Sequence, residues 1–327
     1  MQAGAPGPML IFAGNSNRRL ADRIAKYLGV ELGRAAVGRF PDGEVTVKLE
    51  GDVRGADIFL IQSTCRPVND HLMELLIMVD AMKRASAARI TVVVPYFGYA
   101  RQDRKDEGRV PITAKLVANM ISSAGVDRVL TIDLHAAQIQ GFFDLPVDHL
   151  YGSRVLARHL QRMNLEEVVV TSPDLGGLKM AWGYAKQLDA RLAVIEKRRI
   201  DAEHVEVGFV IGEVKDRTIV LVDDMISTAG TVCKAAHLLH EKGAGRIIIA
   251  ATHAVFCGRA IEKLKAAPVD EVIVTDTIPS TTDLPNLTVL SVADYLGEAI
   301  HRIHMNKSIS HLFRKRRAST RLRGVGE

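Results

Sequence analysis

Short runs in which consecutive residues, not alternate ones, are apolar recur along this chain, and amphipathic helical patterns separate them. The candidate strands are LIFAG (10–14), DIFLIQS (57–63), RITVVVP (89–95), RVLTIDL (128–134), EVVVTS (167–172), RLAVIE (191–196), TIVLVDD (218–224), RIIIAAT (246–252) and EVIVTDT (271–277). A strand that is apolar on both faces has to be covered on both, as in a parallel sheet packed between helices. The intervening helices supply right-handed crossovers, so the chain reads as α/β with doubly wound parallel sheets. Nine such strands, with hairpin pieces around PDGEVTVKL (41–49) and VGFVIGEV (207–214), exceed one comfortable sheet. The expected division is a unit at 9–150 and another at 151–313, with the last helix (293–304) packing back on the first unit. One intervening helix carries Leu72, Leu75, Leu76, Val79 and Met82 at three- and four-residue spacing, with a cap expected at Asn69 or Asp70. A second should follow Pro111 and stop at Gly125.

The apolar fraction of 47% and charged fraction of 25% are those of a water-exposed globular chain, and no apolar run reaches the length of a membrane span. The first eight residues, MQAGAPGP, lack a basic region followed by an apolar core, so they read as a disordered leader and not a secretion signal. Three scattered cysteines without a CxxC pair point to a reducing cytoplasm. The net charge of +5 hints at a polyanion, but the tail RKRRASTRLRGVGE (314–327) holds six basic residues and one acid, which leaves the body neutral. That tail reads as a solvated, disordered extension; no stacking-aromatic or helix-turn-helix signal beside it favours nucleic acid.

In open α/β sheets, ligands sit beyond the carboxyl ends of the strands, so the residues just after each strand carry the information. The stretch TIVLVDDMISTAGT (218–231) puts Asp223 and Asp224 at a strand end, then Ser227, Thr228, Ala229, Gly230 and Thr231 before a helix. Backbone N–H groups at a helix start, with Ser and Thr hydroxyls, form a phosphate cradle. Two carboxylates would repel bare phosphate but suit a ligand with hydroxyls at one end and phosphate at the other. An ordinary strand-to-helix turn with a Ser or Thr cap reads the same way. No P-loop and no GxGxxG pattern is present. Cys233, His237 and His240 share one face of the following helix at a spacing that could suggest zinc; with no fourth ligand nearby, that face is expected to pack on the sheet.

VDDMISTAGT resembles the phosphoribosyl-pyrophosphate motif of phosphoribosyltransferase-fold proteins. With FPDGE (40–44), YARQDRK (99–105), DLHAAQIQGFF (133–143), SPDLGG (172–177) and EKRR (196–199), the chain resembles the class I ribose-phosphate pyrophosphokinases from about Met9 to Phe313. The resemblance implies two doubly wound parallel-sheet domains of phosphoribosyltransferase type. It implies transfer of the diphosphate of Mg-ATP to the anomeric hydroxyl of ribose 5-phosphate, releasing AMP. Asp223 and Asp224 would then bind the ribose hydroxyls, directly or through Mg²⁺, and Ser227–Thr231 the 5-phosphate. Lys197 and Arg199, on a loop that closes over the substrates, would pair with the transferring phosphates, Arg199 also serving the ribose 5-phosphate side. His135 and Asp174 become Mg²⁺–ATP contacts, the carboxylate being the better Mg²⁺ ligand. Phe40, Asp42, Gly43 and Glu44 would recognise ATP in a neighbouring subunit, and Arg101 and Gln102 complete that pocket. The resemblance further implies a homohexamer built from dimers, with ADP and phosphate as effectors at Arg54, Arg109, Ser308 and Ser310.

Two residues depart from the family pattern: Ser227 stands where an acid is common, and Ala229 where Gly is common. Asp52, close to Arg54, would weaken an anion site if it faced it. The rival reading is a non-catalytic, synthetase-associated regulatory protein of the same fold. Such relatives lose or interrupt the catalytic loop and ATP residues, whereas Lys197, Arg199, His135, Asp174, Arg101 and Gln102 are all present here.

Overall fold

A computed structural model describes residues 7–198 and 207–313; the leader residues 1–6, Arg199 and the basic tail 314–327 lie outside the described residues. In chain order the strands are β1 (Met9–Ala13), β2 (Ala35–Arg39), β3 (Val45–Leu49), β4 (Asp57–Ile61), β5 (Arg89–Val94), β6 (Arg128–Ile132), β7 (Val147–Leu150), β8 (Val168–Thr171), β9 (Arg191–Leu192), β10 (Val194–Arg198), β11 (Val207–Ile211), β12 (Thr218–Ile226), β13 (Arg246–Ala254), β14 (Glu271–Thr275) and β15 (Leu287–Leu290). The helices are α1 (Arg18–Leu28), α2 (Val68–Arg84), α3 (Thr113–Ala124), α4 (Ser153–Arg162), α5 (Leu178–Leu188), α6 (Gly230–Glu241), α7 (Ala260–Ala266) and α8 (Ala293–His304).

Two parallel sheets result, a five-stranded one ordered β1-β4-β5-β6-β7 and a six-stranded one ordered β15-β14-β13-β12-β8-β9. Consecutive apolar residues divide between the two faces, as the pleat demands. In β4, Ile58 and Leu60 join the core under α2 and α3, while Phe59 and Ile61 join the core under α1 and α8. The second sheet repeats this: Ile219 and Leu221 face α6, and Val220 and Val222 face α4 and α5. Helix α8 follows the whole second sheet in the chain yet covers the first sheet, where Leu296, Ala299 and Ile300 are fully buried beside α1.

Local chemistry shifts several boundaries. Helix α2 starts at Val68 behind Pro67, whose fixed φ of −72° opens a helix without an N–H to satisfy. The expected caps are engaged elsewhere: Asp70 pairs with Arg39 at 2.9 Å, and Asn69 accepts a hydrogen bond from the Tyr99 hydroxyl. Helix α3 stops as expected, with Gly125 at φ +101°. The segment RLAVIE is not one strand: Arg191–Leu192 extends the sheet beside β8, and Val194–Arg198 turns away to pair antiparallel with Val207–Ile211. Strand β12 runs two residues past Asp224, because Met225 and Ile226 pair with His253 and Ala254 of β13. The two aspartates thus sit inside a strand and not at its end.

The placement of α8 can be measured. Leu296→Ala, at a fully buried site between α8, α1 and the first sheet, should lower unfolding free energy in urea by about 2–5 kcal/mol.

Candidate active site

The carboxyl ends of both sheets point at one another, and polar side chains join them. Past β6, His135 Nδ1 lies 2.7 Å from Asp224 Oδ2 of β12. Asp133 Oδ2 accepts from Thr252 Oγ1 of β13 at 2.5 Å, and its carbonyl accepts from His253 Nε2 at 3.0 Å. After β4, Ser63 Oγ donates to the Thr277 carbonyl at 2.6 Å; before α1, Asn17 Nδ2 donates to the Asp276 carbonyl at 2.7 Å. Cys65, Tyr96, Met225 and Ile278 form a small apolar cluster within this seam.

The seam's electrostatics centre on the paired carboxylates. Burial, then the charge of Asp224, push the Asp223 carboxyl up to about 8, and Asp174 adds to this. Burial also opposes ionisation of Asp224, but the His135 hydrogen bond and charge outweigh it and hold that carboxyl below its ordinary value. The same hydrogen bond raises the His135 imidazole. One member of the pair is thus anionic and its neighbour retains a proton near neutrality, which is how two adjacent carboxyls share a low-dielectric site.

The loop after β12 is not an ordinary capped turn. Helix α6 begins at Gly230 behind Ala229, which sits at φ +58°, and no side chain caps it. The Ser and Thr hydroxyls are therefore not used as caps, and first-turn N–H groups lack intrahelical acceptors. Ser227 Oγ lies 3.3 Å from Arg101 Nη1 and 3.3 Å from Cys257 Sγ, while Lys263 Nζ donates to the Thr228 carbonyl at 3.2 Å. Thr231 is exposed in the first turn of α6. Asp174, after β8, uses Oδ1 to accept from the Gly176 and Gly177 N–H groups at 3.0 and 3.3 Å.

Arg101 and Gln102 line a cavity of ≈ 500 Å³ with Val68, Tyr96 and Met225. Phe40 does not line it; it lies at the tip of the β2–β3 hairpin, 52% exposed. That tip is a tight turn, in which Gly43 takes φ +96° and Asp42 Oδ1 accepts from the Glu44 N–H at 3.1 Å. Lys197 falls on β10. Ser308 Oγ accepts from the Ser310 N–H at 3.1 Å, and Ser308 borders a ≈ 350 Å³ cavity with Arg128, Asn306 and Lys307 that neither Arg54 nor Arg109 lines. Asp52 is turned onto its own segment, with Oδ1 accepting from the Arg54 N–H at 2.9 Å.

No three His, Cys, Asp or Glu side chains among the described residues converge as a metal cage. On α6, Cys233 packs into the core while His237 and His240 are exposed, so the three do not share a buried face. No helix among the described residues is long and apolar enough to cross a membrane.

Residues 9–125 match the model of the N-terminal domain of ribose phosphate pyrophosphokinase, and residues 207–314 that of the phosphoribosyl synthetase-associated domain. The ribose-phosphate pyrophosphokinase of Rhodopirellula baltica is 58% identical over 311 residues, spanning 94% of this chain and 98% of that one. That of Chromobacterium violaceum is 52% identical over 316 residues, 95% of this chain and 97% of that one. The crystal structure of phosphoribosylpyrophosphate synthetase from Mycobacterium smegmatis superposes with a TM-score of 0.87 at 44% identity, covering 91% of this chain and 99% of that one. The chain belongs to the ribose-phosphate pyrophosphokinase family.

Sequence reasoning missed five residues that shape this site. Asp133 lay inside a recognised motif, but nothing in the string shows that it reaches β13. Thr252 and His253 read as ordinary members of an apolar strand. Lys263 follows the loop by more than thirty residues and returns to it only through the α6–β13–α7 path. His149 carries a pH signature: burial, then the charge of His253, push its imidazole down to about 4, and its Nε2 accepts from the Leu134 N–H at 3.0 Å. Above the unfolded pKa of about 6.5 both states are neutral and this contribution is fully present. As pH falls from there to about 4, the unfolded chain takes up a proton that the fold refuses, and roughly 3 kcal/mol is lost. Asp133, raised to about 6 first by burial, works in the opposite sense over the overlapping range. His149→Gln keeps an acceptor but cannot titrate, so its stability should fall less steeply than wild type between pH 6.5 and 4 in urea melts.

Proposed function

We propose that the polar seam between the sheets is the active centre at which this chain, a ribose-phosphate diphosphokinase, makes phosphoribosyl pyrophosphate and AMP from ribose 5-phosphate and ATP. The observation that carries the assignment is the Asp223–Asp224 pair of β12, set just before an uncapped helix start. A sugar phosphate needs both environments: carboxylates for the 2- and 3-hydroxyls, and N–H groups for the 5-phosphate. Ser227, Thr228, Ala229, Gly230 and Thr231 form the phosphate end, and the Lys263 ammonium beside Thr228 adds positive potential there.

Arg101 and Gln102 line the nucleotide cavity. The exposed hairpin tip with Phe40, Asp42, Gly43 and Glu44 lies outside the chain's own cavity, which supports its service to a neighbouring copy in an oligomer of dimers, a hexamer in the reading favoured here. Arg54, Arg109, Ser308 and Ser310 remain the proposed effector site for ADP or phosphate, with Ser308 and Ser310 adjoining in one chain. The reducing compartment inferred from the sequence, the cytoplasm, agrees with three unpaired cysteines. Residues 9–150 and 151–313 remain the proposed division into two domains, with α8 attached to the first.

The family uses Mg-ATP, and the donors present fit Mg²⁺. Asp174 and Asp223 offer oxygen ligands, and the upward push on Asp223 means that a cation arriving there exchanges for a proton. Its Nδ1 held by Asp224, His135 presents Nε2 to metal or phosphate. When bound, Mg²⁺ neutralises phosphate charge and polarises the group in transfer. The chain's own contribution is positioning and charge: the carboxylate pair orients the sugar so that its anomeric hydroxyl faces the β-phosphorus, and Lys197 and Arg199 stabilise the transferring oxygens.

AMP release from ribose 5-phosphate, ATP and Mg²⁺ tests the assignment. Lys197→Ala should cost about 10²–10³-fold in kcat, the scale of one lost charge-stabilising donor. Ser227→Ala should stay within about tenfold, because the carboxylate pair persists. Equal losses in both would overturn this ranking. Binding of both substrates without AMP formation by the wild type would favour the regulatory reading.

A further inference from the structure

We propose that Lys263 is a positioning residue for the ribose 5-phosphate site: its ammonium holds the Thr228 carbonyl and so keeps Ala229 in the left-handed conformation that turns the loop's N–H groups to the 5-phosphate. The proposal rests on the assignment of the 227–231 loop to that phosphate and adds the residue that sets the loop's shape.

The loop is held by its carbonyls. The Phe256 N–H donates to the Ile226 carbonyl at 2.9 Å, the Cys257 N–H to that of Ser227 at 3.0 Å, and the Cys233 N–H to that of Ala229 at 3.0 Å. Those three are backbone pairs. The Thr228 carbonyl between them accepts from a side chain, Lys263 Nζ at 3.2 Å. Phe256, Cys257 and Lys263 belong to one segment leading from β13 into α7, and Ala260 and Leu264 anchor α7 in the second core. Neighbouring cations are matched, Arg259 with Glu262 at 2.6 Å and Lys265 with Asp283 at 2.9 Å. Among the described residues no carboxylate pairs with Lys263, so its bond to the Thr228 carbonyl is charge-assisted and uncontested. The ammonium also lies close to the first turn of α6: burial raises the Cys233 thiol, and the Lys263 charge works against that rise.

This carbonyl needs a holder because of the residue after it. Ala229 has φ +58°, a region that glycine enters freely and alanine does not. Its methyl is buried in the second core. The soft movement is therefore a flip of the 228–229 peptide, which changes ψ of Thr228 and φ of Ala229 together while the methyl stays in place. The peptide is planar and trans, so a flip that carries the carbonyl off Lys263 also swings the Ala229 N–H to the opposite side of the loop. The Lys263 bond opposes that flip. A Cβ on Gly230 would lie 3.7 Å from both Lys263 Nζ and Thr228 Oγ1, so ammonium and hydroxyl flank the first residue of α6 without crowding it. Lys263 thus offsets the strain that Ala229 brings in place of the glycine common at that position.

Steady-state AMP release with both substrates varied tests this. Lys263→Met keeps the length of the side chain and loses the donor. It should raise KM for ribose 5-phosphate about tenfold, the scale of one hydrogen bond to a charged group, with kcat and KM for ATP within roughly threefold of wild type. Lys263→Arg retains a charged donor and should recover most of the loss. In an Ala229→Gly background the left-handed conformation carries no cost, so the Lys263→Met penalty should shrink to about threefold or less. An unchanged KM for ribose 5-phosphate in Lys263→Met overturns the proposal. An equal rise in both KM values does so too, since a general loosening of the fold would give that pattern. A penalty undiminished in the Ala229→Gly background would show that the ammonium acts by its charge on the phosphate and not through residue 229, and the proposal falls. Thr228→Val separates this from the underlying assignment. If it and Lys263→Met both leave KM for ribose 5-phosphate unchanged, the 5-phosphate binds elsewhere and the loop is misassigned; if Lys263→Met alone does, the loop stands and the role of Lys263 is refuted.

Discussion

An imidazole from one sheet and a carboxylate from the other meet at 2.7 Å, and the rest of the site is arranged around that contact. Two sheets that face each other by their carboxyl ends bring loops together, and loops carry polar backbone and side-chain groups. Such groups are costly to enclose unless each finds a partner. Here Asn17, Ser63, Asp133 and His135 on one side answer Asp276, Thr277, Thr252, His253 and Asp224 on the other. An apolar interface of the same extent would tolerate sliding. This one pairs these donors and acceptors in a single registration, which sets the Asp223–Asp224 pair and the Ser227–Thr231 loop at a defined separation from the cavity that Arg101 and Gln102 line.

The same network sorts the protons of the site. Asp224 is held anionic by its imidazole partner while Asp223, which has no cationic partner among the described residues, is driven upward by burial and by that anion. Asymmetry between adjacent, chemically identical groups follows from one hydrogen bond. His253 and His149 are kept neutral by burial and serve as fixed donors and acceptors. The histidines of the seam therefore do different work: one pairs with a carboxylate of the opposite sheet, and two hold the backbone that leads to it.

Much of this was legible in the sequence, for identifiable reasons. Strands covered on both faces leave uninterrupted apolar runs, so the central strands β4, β5, β6, β12 and β13 stood out. The edge strands β7 (VDHL) and β15 (LTVL) are four residues long, and β7 contains Asp148 and His149, so neither gives that signal. The split of RLAVIE was hidden because the choice between extending a sheet and forming a hairpin depends on where a partner strand arrives. The paired aspartates and the Ser/Thr/Gly loop were readable as neighbours between one central strand and the helix after it. Their exact setting was not, since β12 continues past them only because β13 offers Met225 and Ile226 a ladder. The Asp133–Thr252 hydrogen bond was illegible for the same reason, as it joins residues 119 positions apart.

Helix α8, almost the last element of the chain, closes one face of the first sheet. During synthesis, strands β1 and β4–β7 all emerge before β8, yet the apolar face formed by Ile11, Phe59, Ile61 and Leu130 stays uncovered beyond α1 until residues 293–304 appear. Vectorial folding, in which the first half would finish and then wait, is thereby denied to this topology. The nascent first sheet has to be shielded or kept loose while the second is made. A premature stop anywhere before Ala293 leaves not a smaller working half but a sheet with an open, adhesive side.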